Sequence, residues 1–261
     1  MYENIEEIWL EVVQHVEKST GLDCNNFKKA IFHVNNNIRS TENIPVQNPS
    51  FMSIPGMLSK PWWSIADFDD KLQFFLLRLE ELYNEYLDEF EQNYRSITFG
   101  DGTATAYYGP NEGWKSFMFY DEEANVVPGA SKYFPKMANL LKEMRKENYI
   151  AKSHFSVLKA GASIAVHCGG INNELRMHYG LKIPDGDIGI KVGGETRKWK
   201  NGNVLIFDDT FPHEVWNNTD CDRFILHCRL QHPSLSKHER ELSYILDREL
   251  TKALERRKNQ Q

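Results

Sequence analysis

Apolar residues at the start of the chain recur every three or four positions. Ile5, Ile8, Trp9, Val12, Val13 and Val16 share one side of residues 3–18, which predicts an amphipathic helix. Gly21, Leu22 and Asp23 break the pattern, and a second helix is expected over Asn25 to Val34. The stretch SIPGMLSKPWWS, Ser53 to Ser64, mixes helix breakers with two tryptophans and predicts an irregular but anchored segment. From Asp67 to about Tyr94, the positions Phe68, Leu72, Phe75, Leu76, Leu79, Leu82, Tyr83, Tyr86, Leu87 and Phe90 form one apolar face, which predicts a single long helix.

Near Thr98 the period changes. Short apolar runs (WKSFMFY, HFSVLKA, SIAVHCG, LRMHYGLKI, IGIKVGG, ETRKWK, NVLIFDD, HEVWNN and RFILHCRL) are separated by Gly, Pro, Asn and Asp, the rhythm of an antiparallel sandwich or barrel. A helical stretch from Ala130 to Glu147 interrupts them, and Ser234 to Arg256 reads as a closing charged amphipathic helix.

Composition narrows the function classes. With 261 residues, 41% of them hydrophobic and 26% charged, the chain can bury a real core and is not of the disordered type. A net charge of −6 argues against a nucleic-acid binder that works by neutralising phosphates, and Arg256, Arg257 and Lys258 read as the solvated end of a helix. The four cysteines, Cys24, Cys168, Cys221 and Cys228, form no CxxC pair. No signal peptide and no apolar run of about 18 residues is present, so no membrane partner is expected and a reducing cytoplasm is the expected setting.

Nine histidines carry the candidate chemistry. His15, His33 and His238 fall on expected helices without a metal-binding partner, and His154 and His232 are most simply structural. His167 and His213 differ, because each stands where an apolar strand meets a turn, in SIAVH-CGG and in DDTFP-HEVW. Two imidazoles brought together from distant strands suit iron, nickel, copper or zinc. In the usual two-histidine, one-carboxylate iron site the acid lies two residues after the first histidine, a position held here by Gly169. Asp208 and Asp209, just ahead of His213, could supply a carboxylate or could simply shape the turn.

Two arginines extend the constellation. Alternation puts Glu174, Arg176 and His178 on one strand face, and Arg223 lies ten residues beyond His213 on an expected neighbouring strand. A guanidinium fork matches a carboxylate, so arginines beside a two-histidine metal would suit a dicarboxylate cosubstrate. The plainer alternative is surface or interstrand ion pairing, contributing about 0–1 kcal/mol each.

The ordered set HFSVLKAG, VHCG, LRMHYGLKIP, ETRKWKNGNVLIFDDTFPHEVWN and RFILHCRLQHP, from His154 to Leu235, resembles the aspartyl/asparaginyl β-hydroxylase family, with PGMLSKPWW and GWKSFMFY extending the likeness upstream. The resemblance implies an α+β protein with a double-stranded β-helix (jelly-roll, cupin-like) core and supporting N-terminal and C-terminal helices. Its expected organisation is a helical support over 1–97, the β-helix catalytic core over 98–233 and a terminal helix over 234–261, all within one integrated domain. It implies an iron(II)- and 2-oxoglutarate-dependent dioxygenase using O2. His167 and His213 become the iron ligands, in a branch that does without the acid. Ser156 and Arg223 would hold the distal carboxylate of 2-oxoglutarate, and Arg176 and His178 its metal-bound end. Asp208 and Asp209 become supports of the turn, and Trp199 and Trp216 packing residues.

The implied substrate is Asp or Asn, attacked at the β-carbon in a peptide or on a carrier. Two features depart from that. Glu174 beside Arg176, and the acidic cluster Asp121, Glu122 and Glu123, would repel an aspartate side chain and attract an ammonium or guanidinium group. The sequence shows no counterpart of the membrane anchor and repeat domain of the animal enzymes, so a form similar to compact stand-alone bacterial members, acting on small peptides, carrier-bound or free amino acids, is expected. A free or basic amino acid is therefore the alternative substrate, and a non-catalytic sensor of metal and 2-oxoglutarate the alternative class.

Overall fold

The computed structural model describes residues 5–33, 46–101, 113–120 and 125–258. Helix α1 (Ile5–Thr20) buries the apolar stripe its periodicity predicts. The helix expected over Asn25 to Val34 does not form. A single 3-10 turn, Phe27–Lys29, gives way to β1 (Ile31–Phe32), which pairs with β2 (Met52–Ser53); Val34 lies outside the described residues. The Phe27 carbonyl accepts from the Trp9 indole at 2.8 Å and from Ala30 N, so the acceptor that would propagate an α-helix is already engaged.

The tryptophan pair forms β3 (Trp62–Trp63). The long helix expected over Asp67 to Tyr94 is two helices, α2 (Asp70–Glu81) and α3 (Tyr83–Asn93), joined at Leu82 with φ −93° and ψ 21°. The Tyr179 hydroxyl donates to the Leu79 carbonyl at 2.7 Å, the acceptor that Tyr83 N–H would need in an unbroken helix. Short β4 (Gly100–Asp101) and β5 (Trp114–Met118) follow. The stretch from Ala130 to Glu147 also divides, into α4 (Pro128–Tyr133) and α5 (Pro135–Lys146), because Pro135 has no N–H and is suited to a first helical position.

The remaining strands are β6 (Ile150–Leu158), β7 (Ser163–His167), β8 (Glu174–Lys182), β9 (Ile188–Val192), β10 (Glu195–Arg197), β11 (Val204–Phe207), β12 (His213–Asn217) and β13 (Arg223–Gln231), and α6 (Lys237–Lys258) ends the described chain. They form a seven-stranded sheet, β3-β11-β8-β13-β6-β5-β4, and a four-stranded sheet, β10-β9-β12-β7. From β6 onward the chain crosses between the sheets, β6 to β7, β8 to β9 and β10, then β11, β12 and β13 in turn, with antiparallel pairing throughout. That order is a double-stranded β-helix. The N-terminal region does more than brace it, since β3 pairs with β11 at the edge of the large sheet.

Period-two alternation divides the large sheet into two buried faces. Phe155, Leu175, Met177, Tyr179, Leu226 and Cys228 pack against α2, α3 and α5 in the main apolar core. The residues between them, among them His154, Ser156, Arg176, His178, Arg223 and His227, point to the space between the sheets. A separate apolar cluster joins α1, β2 and α6. Among the described residues, no helix is long and apolar enough to cross a membrane.

Candidate active site

The space between the sheets is a cavity of about 550 Å³ lined by side chains of both sheets. His167 ends β7 and His213 begins β12, and the two are direct cross-strand partners. Their ring centroids lie 4.0 Å apart. His167 Nδ1 is 2.7 Å from the Ala165 carbonyl and His213 Nδ1 is 3.0 Å from the Phe211 carbonyl. A carbonyl oxygen only accepts, so each Nδ1 carries the proton and, in the neutral ring, each Nε2 is the unprotonated nitrogen. Burial, with the neighbouring His213, pushes His167 down to about 3, and burial pushes His213 down to about 4, so both are neutral near pH 7. Two neutral imidazoles with oriented Nε2 atoms are a donor set for a divalent transition metal. Among the described residues no third His, Cys, Asp or Glu completes a metal-binding group.

Gly169 and Asp209 are coupled. A Cβ on Gly169 would lie 2.2 Å from Asp209 Oδ2, so the aspartate carboxylate fills the space that a side chain at the absent acid's position would need. Gly169 N–H also donates to the Asp209 carbonyl at 2.6 Å. Asp209 is therefore more than the turn residue the sequence suggests. It lines the cavity and pairs with Arg176 at 2.8 Å, while its Oδ1 is buried without a hydrogen-bond partner. Asp208 does shape the turn: its Oδ1 accepts from Thr210 N at 2.9 Å and Thr210 Oγ1 at 2.5 Å, and burial raises its carboxyl to about 6.

The other expected site residues gather at the inner end. Arg223 is 2% exposed, and among the described residues no carboxylate pairs with it. Its Nη2 donates to Ser156 Oγ at 3.2 Å, its guanidinium stands 4.8 Å from the Trp199 ring, and its Nε has no partner. Burial alone lowers it to about 9. Such a cation costs several kcal/mol unless an anion joins it. Trp114 Nε1 also donates to Ser156 Oγ, at 2.9 Å, so both acceptor positions of that hydroxyl are used and its proton is available to a ligand. Trp199 Nε1 donates to His178 Nδ1 at 3.1 Å, which leaves the proton of the neutral His178 ring on Nε2. The inner end thus offers a guanidinium, a hydroxyl and an imidazole N–H, the complement of a carboxylate.

Glu174 sits where alternation places it, beside Arg176, but is not among the cavity-lining side chains. Buried to 2%, it accepts from Arg229 Nε at 2.5 Å and from Arg176 Nη1 at 3.4 Å. Its charge is held by Arg176 of its own strand and Arg229 of neighbouring β13, so it is paired rather than presented to the cavity. Asp121 and Glu122, with Glu123, lie outside the described residues. Trp216 donates to Asp187 at 2.8 Å at the surface, as a packing role expects.

Sequence reasoning missed His227, Arg229, Tyr120 and Trp114 and read His154 as structural; all five line the cavity. Counting in twos from Arg223 along β13 would have found His227 and Arg229. Among the described residues, five that line the cavity carry a buried polar atom with no hydrogen-bond partner: Tyr120 Oη, His154 Nε2, Asp209 Oδ1, Arg223 Nε and His227 Nε2. Each such atom costs about 1–3 kcal/mol if left unpaired, and their convergence on one space marks a ligand site.

Residues 78–233 match the profile of the aspartyl/asparaginyl beta-hydroxylase family. The aspartyl/asparaginyl beta-hydroxylase of Mus musculus is 28% identical over 205 residues, covering 73% of this chain and 26% of its own. The chain thus spans about a quarter of the length of that relative. The ornithine lipid ester-linked acyl 2-hydroxylase of Rhizobium tropici is 39% identical over 74 residues, 28% of this chain and 26% of its own. A prolyl-4-hydroxylase structure from Pseudomonas putida superposes with a TM-score of 0.40 at 12% identity, covering 58% of this chain and 87% of that one.

Proposed function

Because this chain belongs to the aspartyl/asparaginyl β-hydroxylase family, we propose that it is an iron(II)- and 2-oxoglutarate-dependent dioxygenase that hydroxylates an amino-acid residue, at the β-carbon of Asp or Asn in a peptide or on a carrier. The observation that carries the reading is Arg223: a buried guanidinium with no carboxylate partner among the described residues, lining the same cavity as two histidines whose Nδ1 atoms are held by backbone carbonyls. His167 and His213 would hold the iron. Arg223 and the Ser156 hydroxyl would take the distal carboxylate of 2-oxoglutarate, and Arg176 with the His178 Nε2 proton its other end. When bound, iron(II), 2-oxoglutarate and O2 supply the oxidising power, giving succinate, carbon dioxide and one oxygen atom on a substrate carbon.

The protein's own part is position and charge. Trp199 fixes the His178 tautomer, Trp114 and Arg223 fix Ser156, and Asp209 fixes Arg176. Phe207, Ile164 and Val215 give the cavity apolar walls that keep water from the reacting carbon.

The test is incubation with iron(II), 2-oxoglutarate and air against a panel of Asp-, Asn- and Arg-containing peptides and free amino acids. A substrate gaining the mass of one oxygen, with matching succinate, is the expected result. Tight binding of metal and 2-oxoglutarate with no turnover on the whole panel would replace the enzyme with a sensor. Unchanged iron affinity in both His167→Ala and His213→Ala would remove the proposed metal site.

A further inference from the structure

Among the described residues, none before Trp114 lines the cavity, and the residues matched to the family begin at 78. One earlier segment nevertheless reaches the end of the cavity where the two histidines meet. Residues 47–54 run across two turns, the one that follows His167 and the one that precedes His213. On the first, Ser50 donates to the Gly169 carbonyl through its N–H at 2.9 Å and its hydroxyl at 3.2 Å, and the N–H groups of Phe51 and Met52 both donate to the Gly170 carbonyl, at 3.0 and 2.9 Å. On the second, Asn48 N–H donates to the Thr210 carbonyl at 2.8 Å and Gln47 Nε2 to Asp208 Oδ2 at 2.6 Å. In each of these bonds the segment donates and the turn accepts. Carbonyls two and three residues after one histidine, and three before the other, are thus held by the same third piece of chain.

The other end of the segment is fixed outside the sheets. Ile54 exchanges hydrogen bonds with the Asn172 side chain at 2.8 and 3.1 Å. Met52 and Ile54 are buried in the apolar cluster of α1 and α6, and Phe51, packed against that cluster, meets the Phe32 ring edge-on at 5.4 Å. The strands themselves give the histidine pair weaker support. His167 and His213 face each other across β7 and β12, but the register of that pair shifts between His213 and Val215, so the ladder is irregular beside the ligand. Among the described residues no third protein ligand fixes the spacing either.

We propose that residues 47–52 are a positioning clamp for the metal, holding His167 and His213 at their spacing by hydrogen bonds, as a third protein ligand would do by coordination. Gln47 and Ser50 are its grip on the two turns. Neither lines the cavity, and both act through the backbone that carries the histidines. Outer partners of this kind orient metal ligands and so set affinity and geometry. The inference rests on the reading of His167 and His213 as metal ligands.

The test titrates the intact chain with cobalt(II), whose visible absorption bands report coordination geometry. His167→Ala is the reference. Wild-type cobalt binding that this change leaves untouched overturns the metal site and the clamp with it. Gln47→Met keeps the side-chain length and loses the donor, and is expected to weaken cobalt affinity about tenfold and to shift the visible bands. Gln47→Lys returns a donor to Asp208 and is expected to recover both. Ser50→Ala removes one of two donors to the Gly169 carbonyl, and is expected to cost about threefold in affinity. Lys28→Met opens the partly exposed Lys28–Glu17 pair in the same N-terminal region and controls for general loosening, with affinity and bands expected to stay as in the wild type. With cobalt binding dependent on His167, a Gln47→Met protein identical to wild type in affinity and spectrum, or a loss that Lys28→Met reproduces, would overturn the clamp alone.

Discussion

The two faces of the large sheet are made by the same strands and are both buried, yet one is apolar and the other is built of arginine, histidine and serine. On β13, Phe224, Leu226, Cys228 and Leu230 turn toward the helices, while Arg223, His227 and Arg229 turn toward the cavity. On β8, Leu175, Met177 and Tyr179 face the helices, and Arg176 and His178 face the cavity. An alternating strand normally has one wet face and one dry one. Here a second sheet covers the polar face, so its hydrogen bonds must be completed by the protein itself or by a ligand. Where the protein completes them, as for Glu174 with Arg229, the residue is scaffold. Where it does not, as for Arg223, the residue belongs to a binding site.

Arg223→Met breaks this comparison most sharply. A buried cation that lacks an anion costs the free protein stability, so the variant is expected to lose about a hundredfold in 2-oxoglutarate affinity while its Tm is unchanged or higher, checked by calorimetric titration and thermal melts. Leu226→Ala, its counterpart on the apolar face, is expected to do the opposite. Leu226 is 0% exposed, so the change should cost about 2–5 kcal/mol by denaturant unfolding, with cosubstrate affinity per folded molecule little changed.

Acid sharpens the same contrast. Burial lowers His154 and His232 to about 4, and His178 and His227 well below their ordinary range. Their folded pKa values lie below the unfolded value near 6.5, so the unfolded state takes up more protons as pH falls, and stability present above about 6.5 is lost on the way down. Ligand-free protein is expected to lose about 1 kcal/mol per such histidine between pH 7 and pH 5.5, read by denaturant unfolding at each pH. Asp208, raised to about 6 by burial, works in the other direction, and as one group against several it does not reverse the trend. The smallest effect is expected from Trp199→Phe. The aromatic wall remains but His178 Nδ1 loses its donor, so KM for 2-oxoglutarate should rise about three- to tenfold with kcat little changed, and imidazole 15N shifts should report a mixed tautomer in place of Nε2–H.

Much of this architecture was legible in the sequence because it follows local periods. The strands that carry His167, Arg176, His178, His213 and Arg223 are where alternation put them. What failed was local pattern overruled by distant contacts. The Leu79 carbonyl is taken by Tyr179, a hundred residues away, and a long helix becomes two. Phe27 O is taken by Trp9, and a helix becomes a turn and a strand. In the site, Glu174 was placed on the correct face, but its partner Arg229 lies on β13, and the register that joins them is set by the whole sheet. His227 was passed over inside an apolar-looking run, since only its cross-strand neighbours, His154 and His178, show it to be one of a band.

Gly169 and Asp209 have a consequence for how this site could change. Any side chain at position 169 would compete with the Asp209 carboxylate for one volume, so the two positions are coupled. Introducing an acid at Gly169 alone would force two carboxylates into the same space, and removing Asp209 alone would leave Arg176 without its closest counter-charge. A route from two protein ligands to three therefore passes through a paired exchange, and each single step toward it goes downhill in fitness before the second restores it.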